Sequence, residues 1–344
     1  MPLKILILKP SSLGDVIQAL PLLRLLKLRF PAAEIHWWIA SDLAPLLAGD
    51  PDLHGLFLFE RRKWIAPQHW HELLDSLREM RAVKFDWVID LQGLARSGVF
   101  AWLANGKFTI GVDSGREGAR GFCDEIVPRP SPQTHAVDWY LAVLTRLGVP
   151  VHPHFTWLPE RAPIAANLRE KWAVNSSRWL ALVPGARWAN KRWPQEHFAE
   201  LVRQLASEHR DVRFAILGGR DDGPFAAAIA RAAPERCLDL TGATSLPEMI
   251  EWVRLCELTI TNDTGPMHVA AALGKPVVAL FGPTAPWQTG PYGQITQALR
   301  VPLPCSPCMK ATCRNENPLE CLHTLTPDRV RRAVGAQASR LRNA

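Results

Sequence analysis

No stretch of this chain approaches the ~20 consecutive apolar residues that a membrane span requires, although hydrophobic residues fill 47% of its 344 positions. The first apolar run, residues 5–8, is broken at once by Lys9 and Pro10, which is not the pattern of a secretory signal. The expected compartment is the cytoplasm. No nucleic-acid module is recognisable, and the basic residues behind the formal charge of +7 are dispersed rather than striped. Nucleic acid is therefore not an expected partner. A phosphorylated substrate or an anionic membrane surface fits the charge instead. No acidic pair with a clear metal-binding pattern follows a predicted strand.

What the chain has is alternation. Short apolar strands are predicted over residues 4–9, 34–40, 56–59, 85–91 and 108–112, with helical patterns between them. Residues 148–163 carry four prolines and no periodicity, and read as an interdomain linker. The rhythm then resumes with strands at 179–183, 212–217, 238–240, 258–261 and 275–281. The fold class is α/β. Two doubly wound, Rossmann-like domains are expected, facing each other across a cleft. The N-terminal one spans 1–160 and the C-terminal one 161–326, with a terminal helix over 327–344. Pro21 lies inside the first helical pattern, where a kink or break is expected.

The stretch 258–284, LTITNDTGPMHVAAALGKPVVALFGPT, organises the second half. It reads strand, turn, helix, strand. Pro266 is well placed at a helix start, and Gly274 at its stop. A turn that ends on a helix N-terminus offers backbone N–H groups to an anion, typically phosphate. Ligands of open α/β sheets bind beyond the carboxyl ends of the strands. In the first half, Asp15 occupies the mouth of the first helix. It reads either as an N-cap or as a carboxylate aimed into a crevice. The basic run Arg61-Arg62-Lys63 and the Gly-rich loop 113–120, with Arg116 and Arg120, are either solvated surface or anion clamps. His135 sits at a helix start, where a hydrogen-bonding role is the simpler reading.

With both halves in view, the chain resembles glycosyltransferase family 9, the bacterial lipopolysaccharide heptosyltransferases. The resemblance rests on KPSSLGD at 9–15, DLQG at 90–93, PGARWANKRWP at 184–194 and NDTGPMHVAAALGKPVVALFGPT at 262–284, in that order. It implies a GT-B fold and an inverting, metal-independent transfer from a nucleotide-activated sugar, ADP-heptose in the best-known members. It also implies a glycolipid inner-core acceptor with acidic Kdo sugars, met at the inner face of the inner membrane. By the same resemblance Asp15 falls on the general base. Lys191, Asp263, Thr264, Gly265, His268 and Gly185 fall on the donor site. Ser12, Gly14, Arg61, Arg62, Lys63, Gln92, Arg116 and His135 fall on the acceptor side. The chemistry is consistent: a carboxylate takes the acceptor proton, and positive charge with N–H dipoles meets the departing diphosphate. A nucleotide-sugar epimerase or hydrolase on the same fold, or a non-enzymatic surface-attached scaffold, would share much of this pattern.

One feature departs from the simplest members. Cys305, Cys308, Cys313 and Cys321 cluster in a Pro-rich loop, whereas Cys123, Cys237 and Cys256 stand alone and read as buried small apolar residues. Four cysteines so spaced read as a structural metal site, zinc by default or iron, with free thiols or a redox role as the alternative. The cluster leaves the acceptor open among a lipid-core sugar, another glycan and a protein.

Overall fold

The structure is a computed structural model. It describes residues 1–174 and 177–343, the last six by their backbone only. Asn175 and Ser176 of the predicted second domain and Ala344 of the predicted terminal helix lie outside the described residues. The chain divides into two compact units, Met1–Pro159 and Glu160–Ala344.

The first unit carries six strands: β1 (Lys4–Leu8), β2 (Glu34–Ala40), β3 (Gly55–Phe59), β4 (Trp87–Asp90), β5 (Phe108–Asp113) and β6 (Glu125–Pro128). They form one sheet in the order β3-β2-β1-β4-β5-β6. Every pairing is parallel, with Ile7 beside both Trp37 and Ile89. Central parallel strands are covered on both faces, which is why β1 is apolar without alternation and Ile5 to Leu8 are wholly buried. From β1 the chain adds strands to one side, then returns to add β4 on the other. That reversal opens a crevice at the carboxyl ends of β1 and β4.

The helix Leu13–Arg29 runs unbroken through Pro21, so of the kink or break expected there the break does not occur. Residues 16–26 are all buried, and the helix packs on Ala136–Arg146. Burial of these turns offsets the loss of one helical hydrogen bond. The same helix carries Arg24, which is 4% exposed. Its guanidinium meets Asp50 at 2.6 Å and Asp52 at 2.7 Å, and donates to the Trp157 carbonyl at 3.0 Å. This ties the linker side of the unit to its first helix. Arg24→Met strands Asp50 in the interior, and breaking such a buried pair costs about 3–5 kcal/mol. At roughly 2–4 °C per kcal/mol for units of this size, thermal denaturation should show the first transition lowered by about 6–20 °C. A shift below about 2 °C would show that water, not Arg24, solvates Asp50.

The second unit repeats the plan with β7 (Arg178–Val183), β8 (Val212–Ile216), β9 (Cys237–Asp239), β10 (Leu258–Asn262), β11 (Val277–Phe281) and β12 (Ala298–Arg300). The order is β12-β11-β10-β7-β8-β9, again all parallel. Its reversal falls between β7 and β10. The core is built on Trp193, Phe198, Phe214, Leu322 and Val330, all fully buried. The terminal helix Pro327–Asn343 belongs to this unit and packs on Gln195–Glu208, with Arg331 paired to Glu208 at 2.8 Å. The edge strands β6 and β12 carry no strand signal in the sequence. β6 ends on Pro128 and is only partly buried, and β12 has three half-buried residues. Short or proline-bearing strands survive only at an edge, where half the ladder is unmade.

Candidate active site

In the first unit the predicted residues all follow the carboxyl ends of strands. The segment after β1 enters the helix Leu13–Arg29 with Ser12 as its N-cap and Gly14 buried in its first turn. Asp15 is therefore not the N-cap but the third helical residue. Its Oδ2 accepts from the Ser12 N–H at 2.9 Å and from the Ser12 hydroxyl at 2.6 Å. These bonds, with the helix N-terminus, favour the ionised carboxylate.

Beneath it lies Lys9, 4% exposed, whose Nζ donates to the Leu91 carbonyl at 2.9 Å and stands 4.9 Å from the centre of the Tyr140 ring. Burial pulls the lysine down, but Tyr140, Asp15 and Asp90 together outweigh it and hold the ammonium above its usual range. Across the switch point, burial pushes the Asp90 carboxyl up against the hydrogen bonds that it accepts from Ser97, Gln92 and Gly93. Gly93 has φ +63°, and a Cβ there would stand 2.7 Å from the Val112 carbonyl, so only glycine fits the turn. Gln92 Oε1 is buried without a hydrogen-bond partner among the described residues.

Arg61, Arg62 and Lys63 are exposed on the turn after β3, and Arg116 is exposed after β5. These two loops stand on either side of the β1–β4 crevice, β3 two strand spacings from β1, about 10 Å, and β5 one spacing from β4, about 5 Å. Arg120, the other arginine of that loop, is engaged by Asp113 at 2.5 Å. His135 is 3% exposed and caps Ala136–Arg146, its Nδ1 accepting from the Val137 N–H at 3.2 Å.

In the second unit, the turn after β10 gathers the donor-side residues. Thr264 caps the helix Gly265–Ala272, which places Pro266 at its second position. Asn262 is wholly buried and pins the neighbouring loop, donating to the Pro184 carbonyl at 2.6 Å and accepting from the Trp193 N–H at 3.1 Å. Asp263 is 6% exposed and takes Lys191 Nζ at 2.6 Å and the Thr284 hydroxyl at 2.6 Å on one oxygen. Lys191 also lies 4.8 Å from the centre of the Trp188 ring. An ammonium, an aromatic face and the N-terminus of a helix thus gather at the carboxyl ends of β7 and β10. His268 is buried on the helix behind. A Cβ on Gly185 would fall 2.3 Å from the Asp222 carboxylate, so this position is closed to any side chain. Thr284, Asn262 and Lys9 carry no local signal of their roles. Each is identified only by the partner it meets.

The four-cysteine metal site is not assembled. Among the described residues no group of three or more His, Cys, Asp or Glu side chains is placed to hold a metal ion. All four thiols line one cavity of about 200 Å³, but each has its own setting. Cys313 Sγ accepts from the Leu319 N–H at 3.4 Å, Cys305 Sγ accepts from Asn315 at 3.7 Å, and Cys321 packs against Gly282 on the short helix Glu320–His323. Sequence spacing brought the thiols together, close enough that burial first and then the other three cysteines push Cys321 up to about 11, but not into a metal-holding arrangement. Their reactivities should separate accordingly. Burial pushes Cys123 and Cys237 up to about 12 and Cys256 higher still, whereas backbone N–H groups lower Cys313. A lower pKa means more thiolate. Under iodoacetamide near about pH 8, mass spectrometry should show Cys313 modified first and Cys256 last. Equal rates at the two would contradict these environments.

A family model for glycosyltransferase family 9 (heptosyltransferase) matches residues 73–318. The chain belongs to glycosyltransferase family 9. It is 30% identical to lipopolysaccharide heptosyltransferase 1 of Pseudomonas aeruginosa over 358 aligned residues, 95% of this chain and 96% of that protein. Among solved structures, E. coli ADP-heptose lps heptosyltransferase II is similar with a TM-score of 0.79 at 24% identity, covering 99% of this chain and 100% of that one. E. coli heptosyltransferase WaaC with ADP-2-deoxy-2-fluoro heptose gives a TM-score of 0.75 at 23% identity, over 97% and 99%. The two doubly wound sheets are thus the GT-B architecture of heptosyltransferases, and the protein is a glycosyltransferase. Of its two crevices, one presents a carboxylate at the first strand. The other presents an ammonium and a helix N-terminus.

Proposed function

We propose that this family 9 enzyme transfers heptose from ADP-heptose to an anionic inner-core glycolipid with inversion, Asp15 serving as general base and no metal taking part. The observation that carries the reading is the division of labour between the two switch points. Asp15 sits beyond β1, and Lys191 with the 263–265 turn sits beyond β7 and β10. The acceptor hydroxyl attacks the anomeric carbon as the bond to the diphosphate oxygen breaks, the proton passes to Asp15, and ADP departs. Lys191 and the N–H groups of the turn take up the negative charge on the leaving diphosphate. In the absence of donor, Asp263 neutralises Lys191; a diphosphate would compete for the same ammonium. The engagement of Asp263 by Lys191 and Thr284 suits a group that orients the turn, not one that takes a proton.

Asp15 is stabilised as an anion and is a weak base, which suffices when proton removal follows bond formation. Ser12, Gly14 and Gln92 would shape the acceptor subsite, where the orphan Gln92 Oε1 can accept from a sugar hydroxyl. Arg61, Arg62, Lys63, Arg116 and His135 would hold its carboxylates and phosphates. The relatives named for lipopolysaccharide and for ADP-heptose support this choice of substrates. Among the described residues no helix is long and apolar enough to cross a membrane; on this reading a lipid-anchored acceptor is met peripherally.

Thermal stabilisation by ADP, UDP, GDP and CMP and their sugar nucleotides tests the donor. A shift with ADP and ADP-heptose alone is expected. A shift with UDP or GDP would reassign the donor, and release of free heptose without any acceptor would favour a hydrolase.

A further inference from the structure

Of the ten large apolar side chains exposed among the described residues, six lie in one part of the first unit: Leu58, Ile65, Trp70, Leu74, Val99 and Trp102. Ile65 is 77% exposed, Trp102 65% and Trp70 55%. The elements that carry them are joined. The helices Trp70–Val83 and Ala95–Ala104 pack side by side, and Arg81 donates to the Leu103 carbonyl at 3.1 Å. The turn after β3 bridges them: Trp64 stacks on Phe100 of the second helix at 6.2 Å, and its carbonyl accepts from Trp70 Nε1 of the first at 3.2 Å. Trp70 and Leu74 are one turn apart on an outward face. Val99 and Trp102 are likewise one turn apart, opposite the inward Ser97, Gly98, Ala101 and Ala104. Outward helical positions of a protein that meets only water are ordinarily polar. Six exposed apolar side chains on adjoining elements, two of them tryptophan, mark an interaction site.

Charge chooses the partner. Arg61, Arg62 and Lys63 stand exposed at the edge of this surface, and of the three acids of the helix Trp70–Val83 two are engaged locally, Glu72 by His69 and Asp75 by Arg78, leaving the basic turn in excess. We propose that this face docks the enzyme on an anionic lipid bilayer. Trp70, Trp102 and Ile65 enter the headgroup–acyl boundary, and the basic turn meets lipid phosphates. The inference rests on the glycolipid reading of the acceptor and deepens it. The surface adjoins the turn assigned to the acceptor's acidic groups, so docking would present a membrane-anchored acceptor to the carboxyl end of the first sheet.

The test is sedimentation of the full chain with vesicles of about three parts phosphatidylethanolamine to one of phosphatidylglycerol, at ~0.15 M salt. The parent should be retained there, less so at higher salt or on phosphatidylcholine vesicles. The triple substitution Ile65→Ser, Trp70→Ser, Trp102→Ser should reduce retention by about tenfold or more. It should leave stabilisation by ADP and transfer to a delipidated, soluble acceptor unchanged. Should the variant fail to fold, quenching of the parent's tryptophan emission by acyl-brominated lipid reads the same contact, and bound parent without quenching overturns the proposal. So does equal retention of parent and variant. A parent that dimerises through this face and is not retained on vesicles also overturns it, in favour of a protein partner. A parent retained on vesicles but unmoved by ADP would overturn the catalytic reading alone.

Discussion

Asp15→Ala should lower heptosyl transfer by about 10²–10⁴-fold, the range that a positioned general base contributes. Binding of ADP should survive, because Asp15 belongs to the first unit and the proposed diphosphate seat to the second. The carboxylate holds both the backbone N–H and the hydroxyl of Ser12, so part of any loss comes from a loosened helix start. Such a first-turn interaction is worth only about 1 kcal/mol, roughly tenfold at most if all of it fell on the rate. Asp15→Asn keeps the shape and a hydrogen-bonding side chain, and it should be nearly as inactive as Asp15→Ala. Steady-state kinetics, with thermal stabilisation by ADP on the same preparations, decides the matter. If Asp15→Asn retained more than about a tenth of the parental rate, the base role would fall.

Lys191→Ala is expected to be almost as damaging and in a different way. Removing one preorganised charge from a developing anion costs about 10²–10³-fold in kcat. On the proposed reading the same ammonium also meets the ground-state diphosphate, so stabilisation by ADP should shrink as well. Asp263 is 6% exposed and would then keep only the Thr284 hydroxyl from its two partners described above. Its unneutralised charge would repel the donor. The double variant Lys191→Ala, Asp263→Asn should therefore bind ADP better than Lys191→Ala, while transfer stays low in both. Calorimetric titration of ADP against the parent and both variants checks this. Tighter binding of ADP by Lys191→Ala than by the parent would remove Lys191 from the donor site.

The sequence was most informative where burial is continuous. The residues of β1, β2, β7, β10 and β11 are almost wholly buried on both faces, and such strands must be written as unbroken apolar runs. The turn–helix at 262–272 was legible too, since proline just inside a helix and glycine just past it follow from which backbone groups lack partners. Elsewhere local rules misled. Pro21 reads as a kink or break, yet the helix around it is held unbroken by burial on tertiary contacts. Asp15 reads as an N-cap, but Ser12 takes that place and the carboxylate bonds back to it. The spacing of Cys305, Cys308, Cys313 and Cys321 is that of a metal site, but spacing constrains only the chain length between sulfur atoms. The N–H of Leu319 and the side chain of Asn315 engage two of the thiols instead.

The sequence by itself determined the alternation of strand and helix, the division near residue 160, the family, and which strand ends bear a carboxylate, a lysine and a turn that opens a helix. Each of these depends on residues a few positions apart, and local spacing records them. The tertiary structure alone decided the reversal of strand order that makes a crevice of those strand ends. It also brought Lys191 across 72 positions to Asp263, buried Lys9 beside Tyr140, and set Trp70 and Trp102 on one outward face. Such pairings are fixed by how whole elements stack. Packing energy is shared over many side chains, so no short window of the chain can record it.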